Sequence, residues 1–106
     1  MIEDLIQQMN IELNASAEKH DSWGFYMTVL RYRDLGVTQQ VVYDEVHRYF
    51  INYQEIPDTD VFVEFLADVL DAIVGWPPGR SHHIYSPNFN LPEWAKDYKD
   101  FRPYSF

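Results

Sequence analysis

Between Asp60 and Val74 the chain reads DVFVEFLADVLDAIV, in which Asp60, Glu64, Asp68 and Asp71 carry every charge and all other residues are apolar. At 100° per residue the four carboxylates fall inside an arc of about 80°, with hydrophobic groups around the rest of the cylinder. Such a segment is expected to be a helix buried on most sides, with one narrow acidic ribbon facing water. Gly75 stops it. The remaining chain therefore has to supply neighbours for a helix that is apolar over most of its circumference.

Those neighbours are legible as further helical periods. Ile2, Leu5, Ile6, Met9, Leu13 and Ala17 recur at steps of three and four, opposite Glu3, Gln7, Gln8, Asn10 and Glu12, which predicts an amphipathic surface helix. His20-Asp21-Ser22 breaks this run and offers an N-cap for a second helix, where Trp23, Phe25, Tyr26, Met27, Val29, Leu30, Tyr32 and Leu35 cover two faces before Gly36. Apolar groups on two faces predict a central position. Gly36-Val37-Thr38 reads as a C-cap glycine, a staple-like residue and an N-cap threonine, launching a third helix from Gln39 to about Tyr53. On it Val42, Val46, Tyr49, Phe50 and Tyr53 share one side. Ile56-Pro57-Asp58-Thr59 punctuates the chain before the acidic helix, with Pro57 holding Ile56 extended and Asp58 or Thr59 available as its cap.

Beyond Gly75 the character changes. Trp76-Pro77-Pro78-Gly79, Ser86-Pro87 and Leu91-Pro92 are too proline-rich for continuous regular structure, and one short helix is expected from about Pro92 to Asp100. The aromatics Trp76, Tyr85, Phe89, Trp94, Tyr98, Phe101, Tyr104 and Phe106 are too many to leave in water, so this segment is expected to wrap over the helices. The expected fold is all-α and one domain over residues 1–106, a length suited to one core: a four-helix core over 1–75, and a wrapping segment over 76–106 with one short extra helix. Aromatic residues make up 17% of the chain, enough to build the core without staples, and there is no cysteine to form any. Absence of cysteine also excludes thiolate metal sites and a thiol nucleophile, and it fits a reducing compartment. The N-terminus has no basic region leading into an apolar run, and no stretch approaches the roughly 20 apolar residues of a membrane span. A soluble, cytoplasmic protein is expected.

Seventeen acidic residues against eight basic ones leave a net charge of -9. This argues against direct nucleic-acid binding, which draws its affinity from Lys and Arg neutralising phosphates, and against anionic membrane surfaces. From Asp44 to Asp71 there are eight acids, Asp44, Glu45, Glu55, Asp58, Asp60, Glu64, Asp68 and Asp71, against the single base Arg48. Solubility alone would be served by such a face. Lysine would serve it equally and would relieve the like-charge repulsion, about a few tenths of a kcal/mol per i,i+4 pair, yet no lysine occurs there. Asp68 and Asp71 also lie where the helix dipole disfavours anions. These eight residues, with Trp76 as an adjacent aromatic anchor, are the candidate partner-binding residues; a basic protein is the expected partner.

Other chemistries find weaker footholds. His82 and His83 are adjacent and so point apart in extended chain, no zinc or calcium spacing occurs, and no metal or cofactor is expected. His47 is expected to be partly buried and hydrogen-bonded on the flank of the third helix, and His20 adds little. Asp68 with Asp71 lacks the opposed surroundings that would split two pKa values, and Ser81 near His82 lacks a nucleophile-elbow motif, so no catalytic residue is assigned. Trp76-Pro77-Pro78-Gly79-Arg80 fits a post-helix turn better than a polyproline ligand or a phosphate loop.

Length, charge, the lack of cysteine and the acidic helix from Asp60 to Asp71 with its Gly75-Trp76 turn resemble a broad class of bacterial proteins. These are the small acidic immunity proteins that neutralise a co-produced toxin, including those against nuclease toxins of colicin and contact-dependent inhibition systems. The resemblance is one of profile and carries over no family residues. It implies a stoichiometric inhibitor whose carboxylates meet the basic substrate-binding surface of a nuclease. Two readings from other classes stand beside it: a nucleic-acid mimic that occupies a DNA- or RNA-binding enzyme, and a structural or assembly protein that self-associates through its aromatic tail. Oligomeric state is not set by the sequence.

Overall fold

The computed structural model describes residues 2–75 and 83–86. Four helices follow in order, α1 (Ile2–Glu18), α2 (Ser22–Asp34), α3 (Gln39–Gln54) and α4 (Asp60–Val74), and no strand occurs among the described residues. The short extra helix, Trp76, Arg80, Ser81, His82 and the course of residues 87–106 lie outside the described residues. None of the described helices is long and apolar enough to cross a membrane.

Packing is organised as two hairpins. α1 lies against α2 and α3 against α4, while contacts between the hairpins are fewer. The expected apolar stripes form the core: Met9, Leu13 and Ala17 of α1 are fully buried, as are Phe25, Val29 and Leu30 of α2, Val42 and Val46 of α3, and Leu66 and Ile73 of α4. As its two apolar faces predict, α2 is buried most widely, with Tyr26, Thr28 and Tyr32 also out of water. Phe25 touches three rings edge-on, Tyr49 at 5.6 Å, Phe62 at 5.9 Å and Phe65 at 6.0 Å, and so joins the first hairpin to both helices of the second.

Each connection is held by its own chemistry. α1 ends in a Schellman arrangement, in which His20 N–H donates to Ala17 O at 3.0 Å and Asp21 N–H to Ser16 O at 2.9 Å. His20 takes the left-handed position usually given to glycine, at φ 51°. Asp21 then caps α2, its carboxylate accepting from Gly24 N–H at 2.9 Å. A Cβ at Gly24 would come within 2.4 Å of that carboxylate, which is why a glycine stands in the first turn. The next turn repeats the device, with Gly36 at φ 100°, Gly36 N–H donating to Arg33 O, and Val37 N–H to Tyr32 O. Thr38 caps α3, accepting from Val41 N–H at 3.5 Å.

At the third connection the structure departs from the sequence reading. Thr59 occupies the N-cap position of α4 but makes no cap bond; its buried hydroxyl instead points back to Tyr53 O and Ile56 O, each at 2.8 Å. The hydroxyl is drawn in between these two carbonyls at the end of α3 and in the α3–α4 connection, one of which, Tyr53 O, also accepts from Ile56 N–H at 3.1 Å. Asp58 does not cap either, because it is the residue that turns the chain, at φ 63°.

The C-terminal end of α4 shows why residues 83–86 belong to the core. Of its last four carbonyls, Asp71 O accepts from Gly75 N–H, Ala72 O from Ile84 N–H at 2.9 Å, and Ile73 O from the Gln39 amide at 2.7 Å. Ile84 is fully buried, its own carbonyl accepts from Arg33 at 2.9 Å, and the Tyr85 hydroxyl donates to Val37 O at 2.8 Å. Burial first of all pushes that hydroxyl up from the ordinary tyrosine value to about 12. Gly75, at φ 81°, leaves room for the His83 ring, which a Cβ would meet at 2.7 Å. Truncating Ile84 to Ala is expected to destabilise the protein by about 2–5 kcal/mol, the range for emptying a core aliphatic site. Urea unfolding monitored by circular dichroism measures this, and a loss under about 0.5 kcal/mol would mean that the segment is not part of the core.

Candidate acidic surface

The inward side of α4 sets the outward side. Phe62, Leu66, Val69, Leu70 and Ile73 are buried, and Asp60, Glu64, Asp68 and Asp71 are all exposed on the opposite face. Periodicity had located this ribbon, and the packing of α4 against α3 and Phe25 points it into solvent. Asp60 stands in the first turn, where the helix dipole favours a carboxylate, whereas Asp68 and Asp71 stand near the end, where it does not.

Ion pairs among the described residues lie elsewhere. Arg31 pairs with Glu12, Arg33 with Asp34, and Arg48 with Glu45. Two of them tie the framework together: Glu12 also accepts from the Tyr32 hydroxyl, which joins α1 to α2, and Arg48 also donates to Asn10 Oδ1 at 2.9 Å, which joins α3 to α1. The four carboxylates of α4 have no Lys or Arg partner among the described residues. Their mutual repulsion is visible at Asp68, whose carboxyl is held above the ordinary carboxylate value, first by desolvation and then by the charges of Asp71 and Glu64.

The other expected site residues divide into two groups. Glu55, at the C-cap of α3, and Asp58, in the following turn, are exposed and flank the first turn of α4. Asp44 is exposed on α3 and accepts from the Gln40 amide at 2.9 Å. Glu45 differs, being half-buried and neutralised by Arg48, so it serves the α3–α1 joint. Trp76 lies outside the described residues.

His47, expected to be partly buried and hydrogen-bonded, is exposed and stacks on Tyr43 at 5.8 Å, because its position falls beyond the buried arc of α3. His20, expected only as part of the break between α1 and α2, has a packing role. Its imidazole stacks on Phe62 at 5.2 Å and meets Tyr53 edge-on at 5.9 Å. Nothing in local sequence flags a histidine as a stand-in for a C-cap glycine. Among the described residues no group of three or more His, Asp or Glu side chains is placed to hold a metal ion.

Comparison with family models, with curated proteins and with solved structures finds no match for this chain.

Since the pKa of Asp68 is raised on folding, the folded state binds its proton more tightly than the unfolded state. The resulting stabilisation is present below the unfolded value of 3.8 and is lost as pH rises through the higher folded value. Asp68→Asn is therefore expected to stabilise the protein at pH 7, by about 0.5 kcal/mol on the scale of helix like-charge and dipole effects. Urea midpoints measured at pH 7 and near pH 3 test the sign, because the advantage of the variant should vanish at the lower pH. An advantage of equal size at both would locate its origin outside the charge.

Proposed function

We propose that this chain is a stoichiometric protein-binding inhibitor, an immunity protein whose α4 carboxylates meet the basic substrate-binding surface of a nuclease toxin. One observation carries the reading: Asp60, Glu64, Asp68 and Asp71 share an exposed helix face and have no Lys or Arg partner among the described residues, and the charges of Asp71 and Glu64 add to the desolvation that raises Asp68. A helix that needed only to be solvated would lose that repulsion by exchanging one carboxylate for lysine. A basic partner relieves it on binding and is drawn in by the long-range field of a chain with net charge -9. The ribbon suits binding better than catalysis. Its carboxylates share one exposed helix face, and even Asp68, raised by desolvation and by the charges of Asp71 and Glu64, stands on that open face.

Kinetics with a basic nuclease toxin, sought as the product of a gene adjacent to this protein's own, test the proposal. The association rate is expected to fall as salt is raised. The quadruple variant D60N/E64Q/D68N/D71N should lower it by at least about tenfold at low ionic strength while leaving the fold intact by circular dichroism. Unchanged binding by this variant would reduce the ribbon to a solvated face. Inhibition of several unrelated DNA- or RNA-binding enzymes would favour a nucleic-acid mimic, which would use the same carboxylates.

A further inference from the structure

Six large apolar side chains are exposed among the described residues, and three of them lie close together in the chain: Ile51 at 44%, Ile56 at 45% and Val61 at 82%. They fall on the last turns of α3, the α3–α4 connection and the first turn of α4. This connection is anchored on its inner side by the buried Thr59 hydroxyl on Tyr53 O and Ile56 O, and by Phe62, whose ring meets Tyr53 at 5.3 Å and Phe25 at 5.9 Å. With Phe62 turned inward, Val61 lies about 100° round the helix, at the border of the acidic ribbon and one turn before Glu64. The exposed carboxylates of Glu55, Asp58, Asp60 and Glu64 stand around it in the chain.

Solvation explains the carboxylates but not the apolar residues among them. A valine in an exposed first turn has poorer helix propensity than the Lys, Glu or Ala that would solvate the face as well, and at 82% exposure it recovers almost nothing by burial. Protein interfaces commonly show an apolar centre inside a polar or charged rim. The rim also narrows the choice of occupant. A second copy of this chain would set like charges against each other, and a neutral apolar partner would desolvate carboxylates without pairing them.

We propose that Ile51, Ile56 and Val61 form the apolar centre of the partner interface, and that its occupant is a basic protein surface presenting apolar side chains among Lys and Arg. The inference rests on the reading of α4 as a partner surface and adds what the partner must contain. Carboxylates then set the rate of encounter, and the apolar centre sets how long the complex lasts.

Two blocked hexapeptides of equal charge serve as probes, Lys-Leu-Lys-Lys-Leu-Lys and Lys-Ser-Lys-Lys-Ser-Lys. Their binding to the full chain is followed by shifts of the Ile and Val methyl resonances. The leucine peptide is expected to bind at least about fivefold more tightly, the scale of partly burying an apolar side chain, and to shift the methyls of Ile51, Ile56 and Val61. The variant I56S/V61S, which alters only exposed side chains, should bring its affinity down to that of the serine peptide. Equal affinities for the wild-type chain, a leucine advantage that survives in the variant, or methyl shifts confined to other residues would each overturn the apolar centre while leaving the acidic surface standing. Failure of both peptides to bind would overturn the acidic surface as well.

Discussion

Phe25 holds the two hairpins in one body. Its ring is fully buried on α2 and reaches Tyr49 of α3 and both Phe62 and Phe65 of α4 in edge-on contacts. Such contacts contribute about 0.5–1.5 kcal/mol each beyond the area they bury. Their directional geometry matters as much as their energy, because aliphatic side chains alone would let α4 slide or roll against α2. Phe62 extends the cluster to Tyr53 and to the imidazole of His20, so the turn between α1 and α2 is packed on the start of α4.

From that constraint the acidic surface follows. With Phe62, Leu66, Val69 and Ile73 committed to the core, the opposite arc of α4 is exposed, and the four carboxylates occupy that arc. The same commitment turns Val61 outward. The other end of α4 is closed by Gln39, Gly75 and Ile84, which take up its last carbonyls and leave little for water to do there. A helix held at both ends and along its inner face tolerates the repulsion of Asp68, Asp71 and Glu64, since tertiary packing, more than the helix's own propensity, keeps it folded.

Much of this was legible in the chain because it depends on local spacing. Apolar residues at steps of three and four located all four helices, and Asp21, Gly36, Thr38 and Gly75 marked their ends through cap and turn chemistry that acts over a few residues. Thr59 and His47 depart from expectation for different reasons. The Thr59 hydroxyl donates back to Tyr53 O and Ile56 O in place of capping α4, and His47 falls on the exposed arc of α3, where it stacks on Tyr43 one turn earlier. Glu45 looked like its acidic neighbours until Arg48 and Asn10 gave it a structural joint to hold.

The acidic ribbon shows where the division lies. By itself the sequence determined that Asp60, Glu64, Asp68 and Asp71 share one face of a helix, because a fixed rise and turn per residue make angular position a property of spacing alone. Tertiary structure decided that this face has no Lys or Arg paired with it among the described residues, that Ile51, Ile56 and Val61 are left exposed, and that Ile84 closes the core from beyond Gly75. Pairing, exposure and closure depend on which groups approach from other elements, and that information is carried by the packed fold and not by the spacing of residues within any one helix.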